Sequence, residues 1–216
     1  MEQSANRTYR LRGSRITGPQ QRALDAYWHL YGISYQDAQL DINALFPDSH
    51  QVILEIGFGM GETTAKIAAL RPDDDFLGIE VHLPGVGALL KLIGENQLTN
   101  LRVIRHDAVE VLENMIAPNS LDGIHIYFAD PWHKKRHHKR RLIQEKFVRL
   151  LTSRLKAGGY LHLATDWHNY AEQMLLVLNA EPTIQNSSTE QIQIETFNAQ
   201  DVTKPEELER SEEHTS

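Results

Sequence analysis

Short apolar runs alternate with longer amphipathic stretches along most of the chain. Val52-Ile53-Leu54-Glu55-Ile56 has the length and β-branched content of a buried strand. Similar runs at 76–80, 101–105, 123–128 and 160–164 predict four more strands, and a weaker one at 192–197 a sixth. Helical periodicity fills the gaps at 62–70, stopped by Pro72, at 86–96 after Pro84-Gly85, at 108–115 and at 170–179. An earlier helix is predicted over 20–31, with Leu24, Trp28 and Tyr31 on one stripe. The strongest amphipathic signal covers 141–156, where Ile143, Phe147, Leu150, Leu151 and Leu155 share a face. Gly158-Gly159 reads as its C-cap. Residues 41–49 read as a connection. Strand–helix alternation without an internal repeat predicts an α/β fold with a mainly parallel sheet flanked by helices.

Composition narrows the possibilities. The chain has 216 residues, 41% of them hydrophobic, which is enough for one packed domain. It has no cysteine, so disulfides, thiolate metal sites and cysteine nucleophiles are excluded together. No run of 18 apolar residues exists, and residues 1–15 lack the apolar segment of a secretory signal. The expectation is a soluble cytoplasmic protein. Residues 1–18 are polar and basic and read as a flexible arm, with residues 19–209 as the main domain.

The formal net charge is −7, which by itself argues against a nucleic-acid partner. The distribution reverses that inference. Residues 132–141 read Trp-His-Lys-Lys-Arg-His-His-Lys-Arg-Arg, with six Lys/Arg, three His and no acid. Without these six cations the rest of the chain stands at −13 against the whole chain's −7. Arg7, Arg10, Arg12 and Arg15 form a second basic stretch. A cationic loop between an apolar strand and an apolar helix suits phosphate contacts. Six neighbouring cations and no interleaved carboxylate argue against a metal site at the three histidines.

In parallel sheets ligands bind beyond the carboxyl ends of the strands. The residues there are Glu55, Glu80, Asp107, Asp130 and Asp166, one acid in or after each of the first five strands. Between the first predicted strand and its helix lie Gly57, Gly59 and Gly61. Glycines at such a turn permit a sharp bend and close approach to a ligand. Two cofactor classes fit, a dinucleotide and S-adenosylmethionine. The dinucleotide pattern wants Gly or Ala at position 62, where this chain has Glu62, and pyrophosphate disfavours neighbouring acids. S-adenosylmethionine carries an ammonium and a sulfonium, which acids favour. Glu80 is placed to accept from ribose hydroxyls, and Asp107 from the adenine amine.

These motifs resemble the bacterial tRNA (guanine-N7)-methyltransferases, a Rossmann-like, S-adenosylmethionine-dependent family. The residues are Leu-Glu-Ile-Gly-Phe-Gly-Met-Gly at 54–61, Gly-Ile-Glu-Val-His-Leu-Pro-Gly-Val-Gly at 78–87 and Phe-Ala-Asp-Pro-Trp-His-Lys-Lys-Arg-His-His-Lys-Arg-Arg at 128–141. Ala-Thr-Asp-Trp at 164–167 and Gly-Pro-Gln-Gln-Arg-Ala-Leu at 18–24 add to them. The resemblance implies methyl transfer to N7 of guanine 46 in the tRNA variable loop. It implies that Glu55, Gly57, Gly59, Gly61, Glu80, Asp107 and Asp130 hold the cofactor, with Asp130 also catalytic. Lys134, Asp166, Thr203, Lys204 and Glu206 would contact substrate, and Arg136, His137, His138, Lys139, Arg140 and Arg141 the tRNA backbone. No metal or membrane is implied, and a monomer and a homodimer both remain open. Trp132 and Trp167 are candidates to stack on the guanine. A binding module without catalysis and a nucleotide-dependent oxidoreductase are the alternatives.

The C-terminal family motif departs from its pattern. Pro205 stands where Phe is usual, and the last strand of the family fold is not evident. The final residues, 210–216, read Arg-Ser-Glu-Glu-His-Thr-Ser, which a common sequencing-library adapter encodes in frame. A non-native tail is expected there.

Overall fold

A computed structural model describes residues 15–47 and 51–187. The chain divides into two compact units, Met1–Gln185 and Asn186–Ser216, and the sheet and its helices belong to the first. The stretch expected to be a sixth strand, residues 192–197, lies outside the described residues. So do Arg7, Arg10, Arg12, Thr203, Lys204, Glu206 and the tail at 210–216.

Six parallel strands form one sheet in the order β1-β4-β3-β2-β5-β6. They are β1 (Gly32–Ile33), β2 (Gln51–Ile56), β3 (Asp74–Ile79), β4 (Leu101–Ile104), β5 (Leu121–Tyr127) and β6 (Leu155–Ala164). The helices are α1 (Gly18–Tyr31), α2 (Ile42–Leu45), α3 (Glu62–Leu70), α4 (Leu83–Asn96), α5 (Ala108–Asn114), α6 (Glu145–Arg154) and α7 (His168–Asn179). A 3₁₀ helix spans Lys135–Arg140. The observed sheet matches the α/β expectation.

Period-2 alternation within the strands separates two cores. Ile53, Phe76, Leu101 and Val103 pack with Ala23 of α1, Ala65 and Ala68 of α3, and Val86, Leu89, Leu90 and Ile93 of α4. Leu54, Ile56, Leu77, Ile79, Ile124 and Ile126 face the other way, against Val111 of α5, Phe147, Val148 and Leu151 of α6, and Tyr170 of α7. Helices on both faces explain why the central strands read as continuous apolar runs.

Two boundaries differ from expectation. The helix predicted over 141–156 is confined to α6, and the basic residues before it form the 3₁₀ helix instead. Ile143 still reaches the core, but from an extended segment, where its N–H donates to the Tyr170 hydroxyl at 3.1 Å. Gly158-Gly159 is not a cap. It lies inside β6, where the pairing with β5 jumps from Leu121↔Leu155 to Gly123↔Tyr160, and Gly158 takes φ +82° in the irregularity. Helix α4 begins three residues before its predicted start, with Pro84 in its first turn. Short β1 and α2 carried no periodic signal.

Candidate active site and nucleic-acid interface

The strand order reverses at β2, which has β3 on one side and β5 on the other. That reversal opens a crevice at the carboxyl ends of the strands. A cavity of about 570 Å³ lies there. Glu55, Gly57, Gly59, Glu80, Asp107 and Asp130 all line it, so acids from four separate strand ends meet the glycine loop around one space. Gly61 sits just outside, as the residue preceding α3. Lys134 and Asp166 are exposed and do not line the cavity.

The glycine loop is shaped by close approach. Gly57, Gly59 and Gly61 have φ of +76°, +60° and +78°. A Cβ on Gly61 would stand 2.7 Å from Leu89 Cβ, besides being in the left-handed region that side chains avoid. Gly85 of α4 is needed for a different reason: a Cβ there would lie 2.1 Å from the Gly59 carbonyl oxygen. The second family motif thus packs its glycine against the first.

Glu80 ties these pieces together. Its Oε2 accepts from the Gly59 N–H at 3.0 Å, and its Oε1 from the N–H groups of Val81 and His82 at 2.7 and 2.9 Å. A carboxylate has roughly four lone-pair positions, so capacity remains for a ligand hydroxyl. Asp107 caps α5 by accepting from the Val109 N–H at 2.8 Å. Beside it His106 stacks on Tyr35, ring centroids 3.7 Å apart, and pairs with Glu110.

Glu55 is only 4% exposed. Burial pushes its carboxyl up to about 7, and the nearby Thr64 hydroxyl pulls it partly back without reaching hydrogen-bond geometry. A buried acid against a cavity, with acids on neighbouring strand ends, is a donor set suited to a cationic ligand. Tyr127 extends the cavity wall, its hydroxyl 3.0 Å from His162 Nδ1. Burial, then the neighbouring Glu55, pushes the Tyr127 hydroxyl up to about 12.

Asp130 is half-buried in the turn after β5. That turn is strained on both sides. Phe128 has φ +51° and Trp132 φ +46°, each costing roughly 1–2 kcal/mol for a residue with a Cβ. Phe128 is 66% exposed on the cavity rim, held through its N–H to the Ala164 carbonyl at 2.9 Å. The sequence did not single out Phe128, Tyr127 or His106. The strand-end rule that found the acids would have found the first two, since they lie at the end of β5 and directly after it.

The basic run is not uniform. Lys134, Lys135, Arg136 and Lys139 are exposed, and His137, His138 and Arg140 half-buried. Arg140 lies over the Trp132 ring, 5.0 Å from its centroid, and Trp132 is only 6% exposed. Trp167 is 40% exposed, with the His133 ring against it at 4.1 Å. Arg141 departs from the expected phosphate contact: it is 1% exposed, with its guanidinium turned inward. Among the described residues, no group of three or more His, Cys, Asp or Glu is arranged to hold a metal ion, and no helix is long and apolar enough to cross a membrane.

A family described as "Putative methyltransferase" matches residues 49–216. The tRNA (guanine-N(7)-)-methyltransferase of Paraburkholderia xenovorans (strain LB400) is 62% identical over 182 residues, covering 84% of this chain and 70% of that protein. Its counterpart in Burkholderia cenocepacia (strain HI2424) is 62% identical over 184 residues, covering 85% of this chain and 72% of that protein. With a parallel sheet reversing at β2 and an acid-lined crevice beside a basic 3₁₀ helix, the chain belongs to the tRNA (guanine-N7)-methyltransferase family.

Proposed function

We propose that the protein methylates N7 of guanine 46 in the variable loop of tRNA, with S-adenosylmethionine as donor. The observation that carries this reading is the crevice lined by Glu55, Glu80, Asp107 and Asp130, with the exposed cations of the 3₁₀ helix close behind Asp130 in the chain. When bound, the cofactor supplies a methyl group on a sulfonium. Glu80 has capacity for the ribose hydroxyls and Asp107 for the adenine amine. The glycine loop brings backbone close to the ligand, and Glu55 and Asp130 set negative charge against its cationic end.

Guanine N7 presents a lone pair and no proton, so none of these residues needs to act as a general base. Their work is positioning and electrostatics. The product guanine is cationic. Asp130, in the turn after β5, stabilises that developing charge more than it stabilises the neutral base. Asp166 and Lys134 lie outside the cavity on the side of the basic run and act on the incoming nucleotide. Lys135, Arg136 and Lys139 neutralise tRNA phosphates, which makes binding weaken steeply with salt. The exposed aromatics nearest this path are Phe128 and Trp167; Trp132 is covered by Arg140.

The test is an incubation of protein, unmodified tRNA and S-adenosylmethionine labelled in its methyl group. Labelled 7-methylguanosine is expected after digestion. Salt-sensitive tRNA binding without any transfer would favour a binding module instead.

A further inference from the structure

Arg141 heads the largest fully buried side chains among the described residues. Withdrawing a guanidinium from water is costly unless all its donors are met. Here they are. Its five N–H groups meet five acceptors: Nε donates to the Pro131 carbonyl at 2.8 Å and Nη1 to Gln173 Oε1 at 2.7 Å and the Asn169 carbonyl at 3.4 Å. Nη2 donates to Asn169 Oδ1 at 2.9 Å and His138 Nε2 at 3.0 Å. The guanidinium lies over the Tyr170 ring, 4.8 Å from its centroid. None of these acceptors is a carboxylate, so the contact is not a simple ion pair.

The acceptors come from three places: the turn after β5, the 3₁₀ helix and α7. Neighbouring bonds close the same knot. Gln173 donates to the Ile143 carbonyl at 3.1 Å, and Gln144 to the carbonyls of His138 and Arg141 at 3.1 and 3.3 Å. Pro131 directly follows Asp130, and the two left-handed residues Phe128 and Trp132 bracket them. A turn strained at both ends needs a restraint between those ends. The Pro131 carbonyl receives one from Arg141, and Arg140 covers Trp132 at the far end.

We propose that Arg141 is a positioning residue that fixes the Asp130 turn and links it to the tRNA-facing 3₁₀ helix, rather than a phosphate ligand. Only a planar fork serves all these acceptors at once; a lysine ammonium could serve three at most. The proposal rests on the reading of tRNA methylation with Asp130 at the reacting end.

The experiment compares steady-state methyl transfer by the wild type, Arg141→Lys and Asn169→Ala, each checked for folding by circular dichroism. Asn169→Ala removes one side-chain acceptor of Arg141 and leaves the backbone one. Arg141→Lys is expected to lower kcat about 10- to 100-fold, with KM for tRNA and the salt dependence of tRNA binding unchanged. Lys139→Ala, by contrast, should raise KM for tRNA and reduce the salt slope by about one. If Arg141→Lys does not fold, Asn169→Ala decides, with a kcat loss of about 3-fold at constant KM expected from partial loss of the restraint. A raised KM with a reduced salt slope in either variant overturns the proposal, and so does an unchanged kcat in the variant that decides. Wild-type turnover in the same assay separates this from the underlying reading, whose failure would abolish transfer in every sample.

Discussion

Replacing Glu55 by Gln should make the protein more stable at neutral pH and worse at holding its cofactor. In the folded state the Glu55 carboxyl is pushed up to about 7 by burial, against 4.5 for an ordinary Glu. Between these values the unfolded chain has released the proton and the folded chain has kept it. The unfolded state therefore binds fewer protons, and stability falls as pH rises through this window. A difference of about 2.5 units corresponds to about 3 kcal/mol, fully expressed above pH 7 and absent below 4.5. Gln is neutral throughout and nearly isosteric. The assay is urea unfolding of both proteins without ligand at pH 5, 6, 7 and 8. Apart from a constant offset, the gap should open by about 3 kcal/mol in favour of Glu55→Gln between pH 5 and 8. A gap independent of pH would refute the reasoning, since the Glu55 carboxyl would then titrate alike in both states. S-adenosylmethionine should reverse the preference: its affinity for the wild type should rise with pH towards 7, and Glu55→Gln should bind weakly at every pH.

Other outcomes rest on the same geometry. His125 is buried, its Nε2 3.0 Å from the Tyr160 hydroxyl and its Nδ1 without a hydrogen-bond partner. Burial, then the charges of His162 and Arg71, lower its pKa to about 4, so the unfolded chain takes up a proton first as pH falls below 6.5. Stability should drop by up to about 3 kcal/mol between pH 6.5 and 4, and His125→Phe should move the acid-unfolding midpoint to lower pH. Gly85→Ala drives a Cβ into the Gly59 carbonyl, so calorimetry should show cofactor affinity reduced at least tenfold, with the melting temperature lowered. Asp130→Asn should depress kcat by about 10²-fold with little change in tRNA affinity, read from parallel turnover and filter-binding measurements; unchanged turnover would remove Asp130 from its role.

Much of the site was legible because its signals are local. An apolar run followed by alternating glycines and a helix specifies a strand-to-helix turn on its own, and strand ends in a parallel sheet share one edge. Glu55, Glu80, Asp107 and Asp130 could therefore be grouped before their distances were known. The basic run was harder. Six cations in a row look equally exposed, and nothing within the run marks Arg141 as the one that turns inward. The signal lies in the next two residues, the apolar Leu142-Ile143, which draw the chain into the core. That same pull misled the helix boundary: Ile143 and Leu155 belong to the apolar face by periodicity, yet one sits in an extended segment and the other begins β6. The left-handed backbone of Phe128 and Trp132 was beyond reach, because tertiary bonds to Ala164 and Arg141 hold the turn that requires it.

The central claim is the atom that receives the methyl group. Mapping the product answers it directly, because 7-methylguanosine makes an RNA chain cleavable after mild reduction and treatment with aniline. Unmodified tRNA incubated with the protein and S-adenosylmethionine should break at guanine 46 alone. Methylated tRNA that stays intact, or that breaks elsewhere, would contradict the account.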